Sequence, residues 1–216
     1  MIWGDTDWHC HILPGVDDGP RSLDESLGMA RAAAQLGFTK IVATPHFEAG
    51  VYENCRETVL MGVKSLNDAL RDVGIPVEVH PGSEIMLSPD IAVLLREGRL
   101  MTVMDRGIHV LVELPLSQCP LWAEHVLAEI KEQGLVPVLA HPERYGWMNE
   151  DKLAALYKQG IHFQFNAGSL VGKYGNRAAA FTKTFKEKGY VVQWGSDAHS
   201  EIGYEVLKMA YRYEPL

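Results

Sequence analysis

Val136-Pro-Val-Leu-Ala-His141-Pro-Glu-Arg144 contains the pattern that decides the fold. A short apolar run without a polar break reads as a strand buried on both faces, and such strands belong to parallel sheets covered by helices. This run ends on a metal-capable histidine. The pattern recurs on either side. Seven apolar runs end at His9/His11, His46, Glu84, Glu113, His141, Asn166 and Asp197, at intervals of 25 to 38 residues. Each interval holds one strand, one helix and two loops. Polar residues at the carboxyl end of strand after strand build one site on the upper rim of a parallel barrel. An open doubly wound sheet gathers its site near one crevice instead. The expected fold is α/β, a distorted seven-stranded (β/α)7 TIM-like barrel.

The helical segments fit between these runs. Ser22-Leu-Asp-Glu25 has the capping-box pattern, after which Leu23, Leu27, Ala30 and Ala34 recur at helical spacing until Gly37. Further helices are expected over 59–70, after Pro89, around Trp122, Val126 and Ile130, over 152–157, around Phe181 and over 204–211. The strands between them are expected at 41–43, 77–79, 110–112, 136–139, 162–165 and 191–194. No Ser- or Pro-rich linker divides the chain, so residues 1–216 read as a single domain.

Composition narrows the function. Of 216 residues, 47% are hydrophobic and 22% charged, as in an ordinary globular protein. With 28 acidic and 20 basic side chains the formal charge is −8, which argues against a nucleic-acid-coating surface. Cys10, Cys55 and Cys119 are odd in number and lack C-x-x-C spacing, which suits reduced thiols. No apolar run approaches the ~18 residues of a membrane span, and the first residues lack the features of a signal peptide. A cytoplasmic protein with no direct membrane insertion is expected.

His9-Cys10-His11 is the strongest local signal. Residues two apart on a strand face the same way, so both imidazoles point into the site and Cys10 points away. His46, His141 and the Ser196-Asp-Ala-His199 cluster fall at equivalent strand ends. Glu113 sits inside the apolar run Val110-Leu-Val-Glu-Leu114, where a carboxylate needs a partner or a metal. Asp17-Asp-Gly19, taken alone, reads rather as a turn, since Asp and Gly favour such positions. Mixed imidazole and carboxylate donors favour Zn, Mn or Fe over Mg or Ca, and the number of candidates calls for two or three ions.

His9-x-His11, Leu13-Pro-Gly-Val-Asp-Asp-Gly19, Ala43-Thr-Pro-His46, Gly82-Ser-Glu84, Ala140-His-Pro-Glu-Arg-Tyr145 and Gly195-Ser-Asp-Ala-His199 together resemble the PHP (polymerase and histidinol phosphatase) superfamily. The segments 9–19 and 141–145 are similar to its bacterial capsular-polysaccharide type of protein-tyrosine phosphatase. That resemblance implies the PHP variant of the barrel and a trinuclear site, usually manganese. His9, His11, Glu84 and Asp197 would hold one ion. Glu84 would bridge to a second held by Glu113 and His141, and Asp18, His46 and His199 would hold the third. His80, His109, His125 and His162 match no ligand motif.

The implied reaction is metal-dependent hydrolysis of phosphotyrosine. Arg144 would brace the phosphoryl charge through its planar fork, its plain alternative being a surface ion pair with Glu143 or another acid. Asp197 belongs to the same catalytic group, and His199 or a metal-bound water is the candidate proton donor to the leaving oxygen. The implied partner is the phosphotyrosine tail of a membrane-associated bacterial tyrosine autokinase controlling capsule or exopolysaccharide synthesis. Tyr52, Tyr145, Trp147 and Tyr174 are candidate rim aromatics that could flank a phenyl ring, with Lys173 and Arg177 as nearby cations. Members commonly carry an arginine soon after the Asp-x-His cluster, whereas here none occurs until Arg212.

Competing chemistries fare less well. The positions six past the cysteines are Val16, Met61 and His125, so a cysteine phosphatase lacks its arginine. Gly168-Ser-Leu-Val-Gly-Lys173 is one residue short of a phosphate loop. The remaining alternatives are a PHP-type phosphatase for a small phosphomonoester such as histidinol phosphate, and a metal-dependent amidohydrolase. The latter's usual bridging lysine is replaced by Glu84. Three divalent ions would turn a pocket holding Asp18, Glu84, Glu113 and Asp197 from −4 to +2, so the acidic composition is compatible with a phosphate substrate.

Overall fold

The computed structural model describes residues 4–191 and 193–213. Strands and helices alternate except where two of the expected single strands are followed directly by further strands, after Ala43 and after Pro81. The first sheet has three parallel strands, β1 (Thr6–Cys10), β2 (Lys40–Ala43) and β5 (Glu78–Pro81), in the order β1-β2-β5. The second holds β3 (His46–Glu48), β4 (Tyr52–Glu53), β6 (Glu84–Met86), β7 (His109–Glu113), β8 (Val136–Ala140), β9 (His162–Asn166) and β10 (Gln193–Gly195), in the order β10-β9-β8-β7-β6-β3-β4. Its pairing is parallel except for the β3–β4 hairpin. The last expected strand is shorter than 191–194, and Val192 lies outside the described residues.

Pairing is thus divided between two sheets, and the reason lies in the breaks between β2 and β3 and between β5 and β6. Pro45 has no N–H to give a ladder. At Thr44 the side chain joins the pairing: the Cys10 N–H donates to Thr44 Oγ1 at 3.1 Å, and the Thr44 N–H donates to Cys10 O at 2.9 Å. Gly82 marks the second break, since a Cβ there would meet Val42 Cγ1 at 2.9 Å and Ala43 O at 3.1 Å. Beyond β10 the chain returns to β1. Asp197 N–H donates to His9 O at 2.9 Å and His11 N–H to Ala198 O at 3.0 Å, around a parallel bridge of Cys10 with Ala198.

Helices α1 (Leu23–Gln35), α2 (Arg56–Asp72), α3 (Ile91–Arg96), α4 (Ala123–Glu132), α5 (Glu150–Lys158), α6 (Gly175–Glu187) and α7 (Glu201–Tyr213) cover the sheets. Ser22 caps α1 by accepting the Glu25 N–H. The Glu25 carboxylate reaches back to Arg21 N–H, one residue beyond the N-cap N–H of the reciprocal capping-box bond. One core packs residues of α1, α2 and α7, including Leu27, Leu66 and Tyr204, against the first sheet. A second packs Ile91, Ile130, Leu153 and Phe185 against the second sheet. A small inner cluster of Val42, Leu111, Val138 and Ala140, with Trp8 against it, combines residues of both sheets. Among the described residues no helix is long and apolar enough to cross a membrane.

Candidate metal centre

The strand ends deliver their polar side chains to one place. His9 and His11 leave the end of β1 with their Nε2 atoms 3.2 Å apart, while Cys10 is buried in the core behind them. Glu84, the first residue of β6, sits among them: its Oε2 is 3.1 Å from His9 Nε2, 3.3 Å from His11 Nε2 and 3.3 Å from His46 Nδ1. Its Oε1 lies 2.9 Å from His141 Nε2, which is also 3.5 Å from Glu113 Oε1. Asp197 Oδ1 stands 3.7 Å from His9 Nε2 and 3.6 Å from His11 Nε2. Farther out, Asp18 Oδ1 is 3.6 Å from His46 Nε2 and 3.3 Å from His199 Nε2. All nine expected donors therefore meet. They fall into overlapping groups, with His11 also close to the Asp18 group and His46 close to Glu84 and Glu113.

The backing of the imidazoles determines what they present. His9 Nδ1 meets Gln164 Oε1 at 2.7 Å, and Gln164 Nε2 is fixed as a donor to Asn166 Oδ1. His11 Nδ1 meets Asp17 Oδ2 at 2.8 Å. Both rings thus carry hydrogen on Nδ1 and turn Nε2 lone pairs towards each other and towards Glu84. Such an arrangement requires a cation or extra protons at its centre. Burial works against charge on His9, but Glu84 and Asp197 override it and raise this imidazole to about 9. Burial equally disfavours ionised Asp197 and Glu84, yet the neighbouring histidines hold both carboxyls below their usual range. Glu113, buried beside Glu84, is pushed up to about 7. Five imidazoles and four carboxylates in this arrangement fit Mn, Fe or Zn better than an oxygen-only ion.

Backbone geometry contributes to the placement. His141 and Asp197 are non-glycine residues in the left-handed region, at φ 31° and 49°, where each costs about 1–3 kcal/mol. Gly195 lies so close to His9 that any Cβ would overlap His9 Cβ.

Asp197 divides its two oxygens. Oδ1 faces the histidines, while Oδ2 accepts Asn166 Nδ2 at 2.7 Å, Arg144 Nη1 at 2.8 Å and the Tyr174 hydroxyl at 3.2 Å. Arg144 also lies 4.9 Å over the Tyr174 ring. Its partner is therefore Asp197, not Glu143, whose buried carboxylate accepts Asn166 N–H and the Ser169 hydroxyl. The cavity above measures about 290 Å³ and is walled by Arg144, Glu48 and Tyr52 besides the donors.

The expected rim aromatics separate. Tyr52 lines the cavity and stacks on His46 at 5.8 Å. Tyr145 is fully buried, its oxygen accepting Leu114 N–H, and so belongs to the core. Trp147 stacks on it at 5.0 Å and donates to Pro115 O. Arg177 is not a free cation, because it donates to the carbonyls of Glu143, Tyr145 and Met148. Lys173 lies over Tyr174 at 4.9 Å. His80, His109, His125 and His162 stay outside the cluster. His109 pairs with His162, and the other two stand beside Glu78 and Glu129.

Sequence reading named Asp17 only as part of the Asp17-Asp-Gly19 turn and motif, not as the partner of His11, and it missed Gln164 and Asp7. Gln164 and Asn166 are alternate polar residues within the β9 run, and Asp7 precedes His9 by two. Asp7 is wholly buried and takes Ser196 N–H at 2.8 Å and the Tyr204 hydroxyl at 2.7 Å. A period-two polar pattern inside an apolar strand was the available signal.

Comparison with known proteins agrees with this geometry. The family model described as "Capsular polysaccharide synthesis, CpsB/CapC" matches residues 5–205. The chain belongs to the CpsB/CapC family. Among curated relatives, the tyrosine-protein phosphatase YwqE of Bacillus subtilis is 36% identical over 196 residues, covering 90% of this chain and 77% of that protein. The tyrosine-protein phosphatase CpsB of Streptococcus pneumoniae is 28% identical over 163 residues, 74% of this chain and 67% of that one. A solved structure from work on YwqE and CpsB, described as metal-dependent tyrosine phosphatases, superposes with a TM-score of 0.88 at 33% identity, covering 97% of this chain and 87% of its own. The CpsB/CapC fold is thus a mixed α/β fold with parallel sheets, carried here over nearly the whole chain.

Proposed function

We propose that this chain is a metal-dependent protein-tyrosine phosphatase acting in capsule or exopolysaccharide synthesis. The observation that carries the reading is the convergence of nine imidazole and carboxylate donors under a cavity whose wall includes an arginine held by one of them. Its two sheets are read as one distorted (β/α)7 barrel, supported by the Cys10–Ala198 bridge between β1 and the segment after β10. Residues 1–216 act as one catalytic domain.

The ligands are assigned as His9, His11, Glu84 and Asp197 for one ion, Glu84, Glu113 and His141 for a second, and Asp18, His46 and His199 for the third, with Mn2+ as the favoured metal. Divalent ions held by these residues would lower the pKa of water and neutralise phosphoryl charge. The protein's own groups do the rest. Arg144 presents its remaining N–H groups to the phosphoryl oxygens while Asp197 Oδ2 holds its orientation. His199, half-buried at the cavity wall, is committed as a ligand with its Nδ1 3.2 Å from Asp197 O, so water would be the proton donor to the leaving oxygen. A tyrosyl oxygen, with a pKa of about 10, asks less of that donor than an alkyl alcohol.

The acidic pocket of the bare protein suits cations first and phosphate second. Glu84 stands where an amidohydrolase would place lysine, and no lysine lines the cavity among the described residues. The proposed partner is the phosphotyrosine tail of a membrane-associated bacterial tyrosine autokinase, met in the cytoplasm. The test is hydrolysis of a phosphotyrosine peptide, a phosphoserine peptide and histidinol phosphate by protein stripped with chelator and reloaded with Mn2+, Zn2+ or Fe2+. Metal-restored preference for the phosphotyrosine peptide is expected; a strong preference for histidinol phosphate would overturn the reading.

A further inference from the structure

A second cavity, of about 240 Å³, opens beside the metal pocket and shares Arg144 with it. Leu116, Tyr174 and Ala178 form its walls, with Glu143 and Arg177 completing the lining. Leu116 is 41% exposed, large for an aliphatic side chain set between polar neighbours. The charged groups here are largely committed. Arg177 donates to three main-chain carbonyls, and Arg144 is tied to Asp197. Glu143 is 1% exposed, with Oε1 taken by two donors and Oε2 shut off from solvent, so it brings no accessible charge to the cavity.

We propose that this cavity is the subsite for the residue adjacent to the phosphotyrosine in the substrate chain, and that it takes an apolar side chain. The inference rests on the phosphatase reading of the neighbouring pocket. With its phosphoryl group under Arg144, a peptide passes over that arginine in leaving the metal pocket, and the cavity lies on its other side. Leu116, Ala178 and the Tyr174 ring then cover one aliphatic side chain. The volume is below that of sites built for whole small molecules, as expected for a single side chain. Committed cations leave little to attract an acidic neighbour.

The test compares kcat/KM for metal-loaded protein on phosphotyrosine peptides differing only in the flanking residues, Leu against Asp, with p-nitrophenyl phosphate as the reference without flanks. Wild-type protein is expected to prefer the leucine peptide about tenfold, with the difference in KM. Leu116→Asp should abolish that preference, and Leu116→Met should restore it. A wild-type protein that hydrolyses p-nitrophenyl phosphate yet treats both peptides alike overturns the subsite, as does a preference that survives Leu116→Asp. Failure to hydrolyse even p-nitrophenyl phosphate overturns the phosphatase reading and the subsite with it.

Discussion

Arg144 Nη1 donates to Asp197 Oδ2 at 2.8 Å, while the other oxygen of the same carboxylate stands 3.7 Å from His9 Nε2. One residue thus connects the guanidinium at the cavity wall to the donor cluster. Because Asn166 and Tyr174 also occupy Oδ2, removing Arg144 leaves that oxygen two partners. Arg144→Ala is therefore expected to keep its metal content but lose roughly 10²–10³-fold in kcat on an aryl phosphate. Arg144→Lys should recover only a small part, since an ammonium lacks the planar fork. Steady-state kinetics with metal analysis on the same samples checks both; loss of metal in the alanine variant would contradict the split of Asp197 between two duties.

Asp17 and Gln164 act from behind the cluster. Each accepts the Nδ1 hydrogen of a histidine, and Asp17 also takes the Gly19 and His46 N–H groups. Asp17→Asn and Gln164→Leu preserve volume while weakening or deleting that acceptor. Metal affinity, measured by competition with a chelator, should drop about 10–100-fold in each. Unaltered affinity in both variants would mean that ring orientation is set by packing alone.

Sequence reading located the site better than it located the support of the site. His9, His11, His46, Glu84, Glu113, His141 and Asp197 were legible because each terminates an apolar run, a feature local in the chain. The division of the sheet at Thr44-Pro45 and Gly82-Ser83 was not legible, because hydrogen bonding at a break depends on what the neighbouring strand offers, as Cys10 does to Thr44. Tyr145 was misplaced on the rim for a similar reason. Its position after Arg144 suggested a loop, and only the distant Leu114 N–H draws its oxygen into the core. Arg177 looked like a free cation because its three carbonyl partners lie 29 to 34 residues away.

Proton occupancy of the bare cluster leads to a pH prediction. Burial favours neutral His9, but Glu84 and Asp197 raise it to about 9, above the roughly 6.5 of an unfolded histidine. A raised value means that the charged ring stabilises the metal-free fold fully below about pH 6.5 and progressively less as the pH rises to about 9. The melting temperature of metal-free protein should fall across that window. His11 is raised as well: burial opposes its charge, but Asp17 and Glu84 outweigh it. Metal uptake at pH 7 must therefore expel at least one proton, and affinity should climb with pH over the same range. Calorimetric titration in buffers of different ionisation enthalpy measures the protons released; a value of zero at pH 7 would rule out the protonated cluster.

Gly195 tests how tightly the strand ends are locked together. A Cβ at this position would overlap His9 Cβ and lie 2.7 Å from Gln164 Nε2, the residue that orients the His9 ring. The glycine is not needed for a left-handed backbone, since its φ is not in the positive range, so substitution acts through overlap alone. Neither neighbour can retreat freely, because His9 and Gln164 are both fully buried. Gly195→Ala should therefore cost about 1–3 kcal/mol of stability and displace the His9 ring from its partners. Metal affinity should fall along with the denaturation midpoint. Gly160→Ala, at an exposed turn with only the Lys131 side chain nearby, serves as the contrast: its strain comes from a φ of 82° and should lower the midpoint without lowering metal affinity. Equal metal affinity in both variants would show that β1 and β10 can separate at the site without disturbing the donors.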